Sequence, residues 1–317
     1  MTIDCVNLSL ATTCRGRCIF CPTDVRGRRI GAKLMPYALA KRILDELAGP
    51  EFAALRVLRL GENGDALMNA AFLAILLHAR RTLPSTVEIE LFTNLEGLTP
   101  ELSDVLIDEH LIDKLSFNID GCTKERYEAM KGLSWGKALT HAKHFLERRN
   151  EANSPIVATV FTIPAAVYWL EVTSKLGVMP LRRVAIPFMD PTEEFNAVHA
   201  TLHPWLRLST DFVYFEHVSG WAERAQFTDR RLDYGDLQCP ALSRVEHEAF
   251  IAPDGTWYAC CWDADNEIVM GNVARTSVRD VWASEERRTI IEMLRVGRFA
   301  ELGGPCRTVN CCAMRPV

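Results

Sequence analysis

Strand-like and helix-like stretches alternate through the first 190 residues of this 317-residue chain, and that alternation narrows the available folds more than any other feature. Residues 5–10 read as a buried strand and 36–48 as a helix. Residues 55–60 are the next strand and 70–81 the next helix. Residues 87–92 (Val-Glu-Ile-Glu-Leu-Phe) alternate with period two, as a half-buried strand requires. Residues 100–109 form a helix with Thr99 as N-cap and Pro100 at its first position. A strand over 114–119, a helical stretch to 149, a strand over 155–162, a helix over 165–176 and a sixth strand over 183–188 complete the series. Strands that alternate with helices in this way form parallel sheets joined by crossover helices. A closed eight-fold barrel needs about 250 residues, and the pattern stops at six pairs. A doubly wound sheet is the alternative, but no Gly-x-Gly-x-x-Gly turn follows the first strand.

The remaining chain is organised differently. Residues 191–235 carry prolines, aromatics and acids without clear periodicity and read as a connecting region between residues 1–190 and a C-terminal domain over 236–317. Within that domain Pro253-Asp254-Gly255 separates two short apolar runs, 249–252 and 256–258, and marks a hairpin. The net charge of -5 argues against a nucleic-acid-binding face. No apolar run approaches the roughly 18 residues of a membrane span. The first residues lack the basic and apolar regions of a secretory signal. A cytoplasmic location is therefore expected, where thiols stay reduced and clustered cysteines point to metal or catalysis.

The eleven cysteines are clustered. Cys14, Cys18 and Cys21 fall within eight residues, directly after the first strand. Six more follow residue 238, and Cys5 and Cys122 stand alone. A closed zinc site needs four ligands, and no second knuckle lies near the first three. Three thiolates can hold a [4Fe–4S] cubane and leave one iron open. A structural metal loop with a distant fourth ligand is the other reading.

Cys-x3-Cys-x-aromatic-Cys after the first strand of a β/α series resembles the radical SAM superfamily. The resemblance implies a partial (β/α)6 TIM-like barrel with a small C-terminal iron–sulfur extension. It implies that Cys14, Cys18 and Cys21 bind a [4Fe–4S] cluster whose open iron chelates S-adenosylmethionine, and that reduction yields a 5′-deoxyadenosyl radical. Gly64-Asp65-Ala66 stands where the family has Gly-Glu-Pro, which implies that Gly64 and Asp65 receive the methionyl amino group; an exposed loop acid is the alternative. Asn94, at the end of the third strand, and Ser116 and Asn118, on one face of the fourth, stand where the family contacts the cofactor. Ser116 and Asn118 equally suit strand-end polar groups. Phe20 is implied to pack beside the adenine through its backbone.

The run from Asp254 to Cys260, then Met270-Gly271-Asn272, Val281-Trp282 and Cys306, resembles the SPASM and twitch extensions of that superfamily, which carry auxiliary clusters. The resemblance implies Cys239, Cys260, Cys306 and one of Cys311 or Cys312 as ligands. Six late cysteines are too few for two auxiliary clusters, so one is expected, giving two [4Fe–4S] clusters in all. The same thiolates would hold zinc equally well; the N-terminal triad tilts the reading to iron.

The expected activity is hydrogen abstraction from an unactivated C–H bond of a small-molecule or peptide substrate, with electrons from a flavodoxin or ferredoxin. No nucleic acid or membrane partner is expected. Peptide-crosslinking members of the superfamily carry a leader-binding domain ahead of the cluster, and here the triad begins at residue 14. In size and layout the chain resembles aminoglycoside-tailoring epimerases and dehydrogenases. Cys261 is left over beside Cys260, and strand alternation would turn it away from the auxiliary cluster. It is the candidate hydrogen-atom donor of an epimerase. A dehydrogenase, a peptide maturase and a non-enzymatic metal-binding module are the alternatives.

Overall fold

The computed structural model describes residues 2–18, 21, 31–163, 186, 189–215, 237–239, 241–263, 265–308 and 315–316. These divide into two compact units, one of Met1–Thr13, Pro22–Glu88 and Phe227–Val317, the other of Cys14–Cys21 and Ile89–Gln226.

The first unit is built on β1 (Cys5–Leu8) and β2 (Val57–Leu60). They pair in parallel with Cys5 opposite Val57. Between them runs α1 (Tyr37–Leu47), and α2 (Phe72–Thr82) follows β2. The crossover is helical because residues 37–47 place Ala40, Ile43, Leu44 and Leu47 on one stripe, the face that is buried. Val6, Leu8, Leu58 and Leu60 are fully buried. The late residues join this same sheet. After β7 (Leu237–Gln238) and α7 (Leu242–His247), β8 (Glu248–Ile251) pairs in parallel with β1, Cys5 opposite Glu248. β9 (Thr256–Tyr258) returns antiparallel to β8, and β10 (Val269–Asn272) antiparallel to β9. The strand order is β10-β9-β8-β1-β2. The expected Asp-Gly turn is present: Gly255 has φ +83°, a conformation favourable to glycine. The helices α8 (Val278–Trp282), α9 (Glu285–Arg295), α10 (Phe299–Leu302) and α11 (Gly304–Thr308) follow, and β11 (Arg315–Pro316) pairs with β7.

The second unit repeats the β/α pattern with β3 (Glu88–Thr93, entering the unit at Ile89), α3 (Pro100–Asp108), β4 (Lys114–Asn118), α4 (Lys124–Lys131), α5 (Trp135–Glu151) and β5 (Val157–Thr162). Thr99 caps α3, its hydroxyl accepting the Leu102 N–H at 3.3 Å. The single helical stretch expected up to residue 149 is two helices. Gly132, at φ +63°, ends the first, and the Ser134 hydroxyl caps the second.

The stretch 191–235, read as connecting, contains α6 (Pro191–Leu202) and β6 (Phe212–Phe215). Asp190 caps α6 at the Thr192 and Glu193 N–H groups, with Pro191 at its first position. β6 is parallel to β5, Thr159 opposite Phe212. The helix over 165–176 and the strand over 183–188 lie outside the described residues, apart from Ile186. The order β3-β4-β5-β6 follows the chain, and among the described residues neither unit's sheet closes on itself. The fold is thus mixed α/β with a parallel, open sheet, as a partial barrel requires. Among the described residues no helix is long and apolar enough to cross a membrane.

Candidate cofactor and cluster sites

Parallel α/β folds place their chemistry where the strands' carboxyl ends meet the loops. In the first unit those ends carry Gly64 and Asp65. Gly64 has φ +120°, and a Cβ there would stand 2.5 Å from the Ala11 carbonyl oxygen and 2.8 Å from that of Thr13. Only glycine lets the loop after β2 lie against the chain leaving β1. Asp65 is buried; its N–H donates to the Thr13 carbonyl at 3.0 Å, and its Oδ1 accepts the Leu67 N–H at 2.9 Å. The carboxylate is thus held by a short helical turn rather than exposed in a loop. Asn63 was missed by sequence reasoning. It is buried, its Nδ2 donates to the Tyr258 hydroxyl, and its Oδ1 has no hydrogen-bond partner among the described residues.

In the second unit, Cys14 and Cys18 flank Gly16, whose added Cβ would lie 3.4 Å from each sulfur. Asn94 Nδ2 donates to Cys14 Sγ at 2.9 Å, while its Oδ1 accepts the Glu96 N–H. Cys21 N–H donates to the Cys18 carbonyl at 3.1 Å. Burial pushes the Cys18 thiol up, and the Lys131 ammonium is the strongest group pulling it back. Ser116 is fully buried and donates to the Glu90 carboxylate, which Lys114 also approaches at 3.3 Å. That contact is the strand-to-strand role open to a polar residue here. Asn118, half-buried, ends β4. Phe20 lies outside the described residues. His141, on α5, is buried with Nδ1 2.7 Å from the Leu95 carbonyl oxygen.

The late cysteines of the first unit are half-buried Cys239 and buried Cys260, Cys261 and Cys306; Cys311 and Cys312 lie outside the described residues. β9 ends at Tyr258, so Cys260 and Cys261 stand in the turn beyond it, and strand alternation does not set their directions. Asp263 holds that turn: its carboxylate accepts the Glu267 and Ile268 N–H groups at 2.9 and 2.8 Å. Cys261 Sγ accepts from Arg244 Nη1 at 2.9 Å. The other guanidinium nitrogens of Arg244 grip Glu248 at 2.8 and 2.9 Å. Glu248 accepts from Asn7 at 2.9 Å, and Asn7 from Arg59 at 2.9 Å. Burial raises the Glu248 carboxyl, but Arg244, with Asn7 and Arg59, outweighs it and holds the group below the usual carboxylate range. Cys5 belongs to this polar face, where burial pushes its thiol up to about 12.

Among the described residues no three His, Cys, Asp or Glu side chains converge to metal-ligating distance. The donor set nevertheless fits iron–sulfur clusters. The early thiols flank a residue without a side chain, and the fully buried Tyr127 hydroxyl, whose surroundings include Cys18, has no hydrogen-bond partner among the described residues. Cys14, Cys18 and Cys21 would hold the first cluster, and Cys239, Cys260 and Cys306 would contribute to a second.

Residues 8–199 match the sequence profile of the radical SAM superfamily, and residues 239–312 that of SPASM, an iron–sulfur cluster-binding domain. No curated protein matches the sequence. Among solved structures the chain resembles BtrN in complex with AdoMet and 2-DOIA, at 13% identity and TM-score 0.53, covering 100% of this chain and 94% of that one. It resembles native anSMEcpe with bound AdoMet at 11% identity and TM-score 0.54, covering 92% and 83%. It also resembles Streptococcus suis SuiB bound to S-adenosylmethionine, at 12% identity and TM-score 0.59, covering 98% and 72%. At such identities these likenesses concern the fold. The sequence profile runs through the cysteine loop after β1 and through the strands β2 to β5 behind it, and on that match the chain belongs to the radical SAM superfamily, with S-adenosylmethionine, a [4Fe–4S] cluster and auxiliary iron–sulfur binding in its SPASM region.

Proposed function

We propose that this radical SAM enzyme epimerises a carbon centre of a small, aminoglycoside-like natural product, with Cys261 returning the hydrogen atom. When bound, cluster and S-adenosylmethionine supply the 5′-deoxyadenosyl radical that removes hydrogen from the substrate. The observation that carries the reading is the buried thiol of Cys261, beyond the four expected cluster ligands and held at its sulfur by Arg244 at 2.9 Å. Inversion requires a hydrogen donor other than the group that abstracted the hydrogen, and a thiol fixed in this way supplies one.

In the donating step the Sγ–H bond of Cys261 breaks and a C–H bond forms at the substrate radical. One electron from a flavodoxin- or ferredoxin-type carrier and one proton then restore the thiol. Arg244, anchored on Glu248, holds the sulfur in place. The same Arg244 contact favours a second reading, because a guanidinium donor also suits a ligating thiolate. Cys261 would then replace Cys260 as cluster ligand, and the enzyme would be a dehydrogenase.

The test uses cluster-loaded protein, reductant, S-adenosylmethionine and a small-metabolite extract in heavy water. Epimerisation yields an isomer one mass unit heavier than its substrate, and Cys261→Ala makes 5′-deoxyadenosine without that isomer. A product two mass units lighter, or normal product from the variant, sinks the proposal.

A further inference from the structure

The end of α4 lies directly against the cluster loop. The Lys131 carbonyl accepts the Arg17 N–H at 2.8 Å, and a Cβ on Gly132 would stand 3.2 Å from Arg17 Cβ. Arg17 immediately precedes Cys18. Two side chains on this part of α4, Tyr127 and Lys131, are one turn apart and share a face. Both are buried, Lys131 at 3% exposure and Tyr127 at 0%. Lys131 Nζ donates to Asp120 Oδ2 at 2.7 Å, and Asp120 is fully buried. Asp120 Oδ1 accepts the Ile163 N–H at 2.9 Å, so the carboxylate is fixed from two sides.

A buried ion pair of this kind gives little net stability, because desolvating both charges offsets their attraction. Its placement gives it a different use. The cationic member is the one on the helix that touches the loop: the Lys131 carbonyl accepts the Arg17 N–H, whereas Asp120 is tied to Ile163 beyond the end of β5. The 2.7 Å contact with Asp120 keeps Lys131 protonated against the effect of burial. The cluster loop therefore rests against the helix that carries the cation of a buried, fixed ion pair, in a region of low dielectric where one charge acts strongly on another.

We infer that the Lys131–Asp120 pair sets the reduction potential of the cluster held by Cys14, Cys18 and Cys21, with Lys131 the residue that raises it. This rests on the reading that those three cysteines hold the cluster. Reduction takes one electron from a low-potential carrier and adds one negative charge to the cluster; no bond to the protein breaks. Lys131 stabilises that added charge, and Asp120 both anchors Lys131 and opposes it. Cluster potentials respond to net charge and to hydrogen bonds at the sulfurs in this way. Lys131 is thus a positioning residue, acting on the reaction through the ease of electron entry.

The experiment is an EPR-monitored redox titration of the reconstituted full chain with dithionite. The signal that changes on adding S-adenosylmethionine identifies the cluster with the open iron. Lys131→Met is expected to move its midpoint to more negative potential and Asp120→Asn to more positive potential, while Lys131→Arg stays close to the native value. A purely structural role would lower iron content or Tm without producing shifts of opposite sign. Native midpoints for both variants at full iron content, or shifts in the same direction, overturn the inference. Should Lys131→Met lose its iron, Asp120→Asn decides alone: a positive shift supports the inference and no shift overturns it. Failure of the underlying reading is visible separately, as a Cys18→Ala chain that keeps the S-adenosylmethionine-responsive signal.

Discussion

Asp65 has a structural task that can be separated by experiment from the binding task proposed for it. Its Oδ1 caps the short turn over Ala66–Met68, and Gly64 before it brings the loop against the Ala11 and Thr13 carbonyls. Asparagine caps a turn about as well as aspartate but carries no charge. Asp65→Asn should therefore leave the denaturation midpoint nearly unchanged. If Asp65 receives the ammonium of S-adenosylmethionine, the same variant loses a charge-assisted contact of about 1.5–3 kcal/mol, which calorimetric titration of cluster-loaded protein would read as at least roughly tenfold weaker binding. Equal affinity would leave Asp65 with the cap alone.

At the scale of elements, the edge strand β6 depends on a pair that no local pattern announces. Arg149, at the end of α5, reaches Asp211 through Nη1 at 2.7 Å and Nη2 at 2.8 Å, and both side chains are buried. Asp211 also accepts the Ala158 N–H of β5 and the Arg207 N–H. One carboxylate thus joins α5, β5 and the approach to β6. Its removal leaves a buried guanidinium without its partner, a loss of about 3–5 kcal/mol. Asp211→Ala should show that loss in urea unfolding and faster amide exchange in β5 and β6. A cost below about 1 kcal/mol would mean that water reaches Arg149 when the carboxylate is gone.

For the whole molecule the measurable quantity is its iron. A cubane at the early triad and one at the late cysteines would give about eight irons per anaerobically reconstituted chain. Replacing Cys14, Cys18 and Cys21 together should remove about half and abolish release of 5′-deoxyadenosine under a strong reductant. Stoichiometric zinc at the late cysteines would remove the auxiliary electron path and with it the dehydrogenase alternative.

Sequence alone determined the parts whose signals are local. Apolar runs, one period-two stretch and 3.6-residue patterns placed β1 to β5 and most of the helices after them, because each buries an apolar face, while the break between α4 and α5 at Gly132 was not read. Asp254-Gly255 placed the β8–β9 turn, and three cysteines in eight residues pointed to the cluster loop. The tertiary structure decided what depends on residues far apart in the chain. That β8, some 240 residues after β1, lies beside it follows from backbone pairing, which carries no sequence mark. Ser116 against Glu90, Arg244 against Cys261, Arg149 against Asp211 and Lys131 against Asp120 are likewise made by folding. A charged residue in a helix reads as a solvent-facing one until packing encloses it, and only then does its charge have to find a partner.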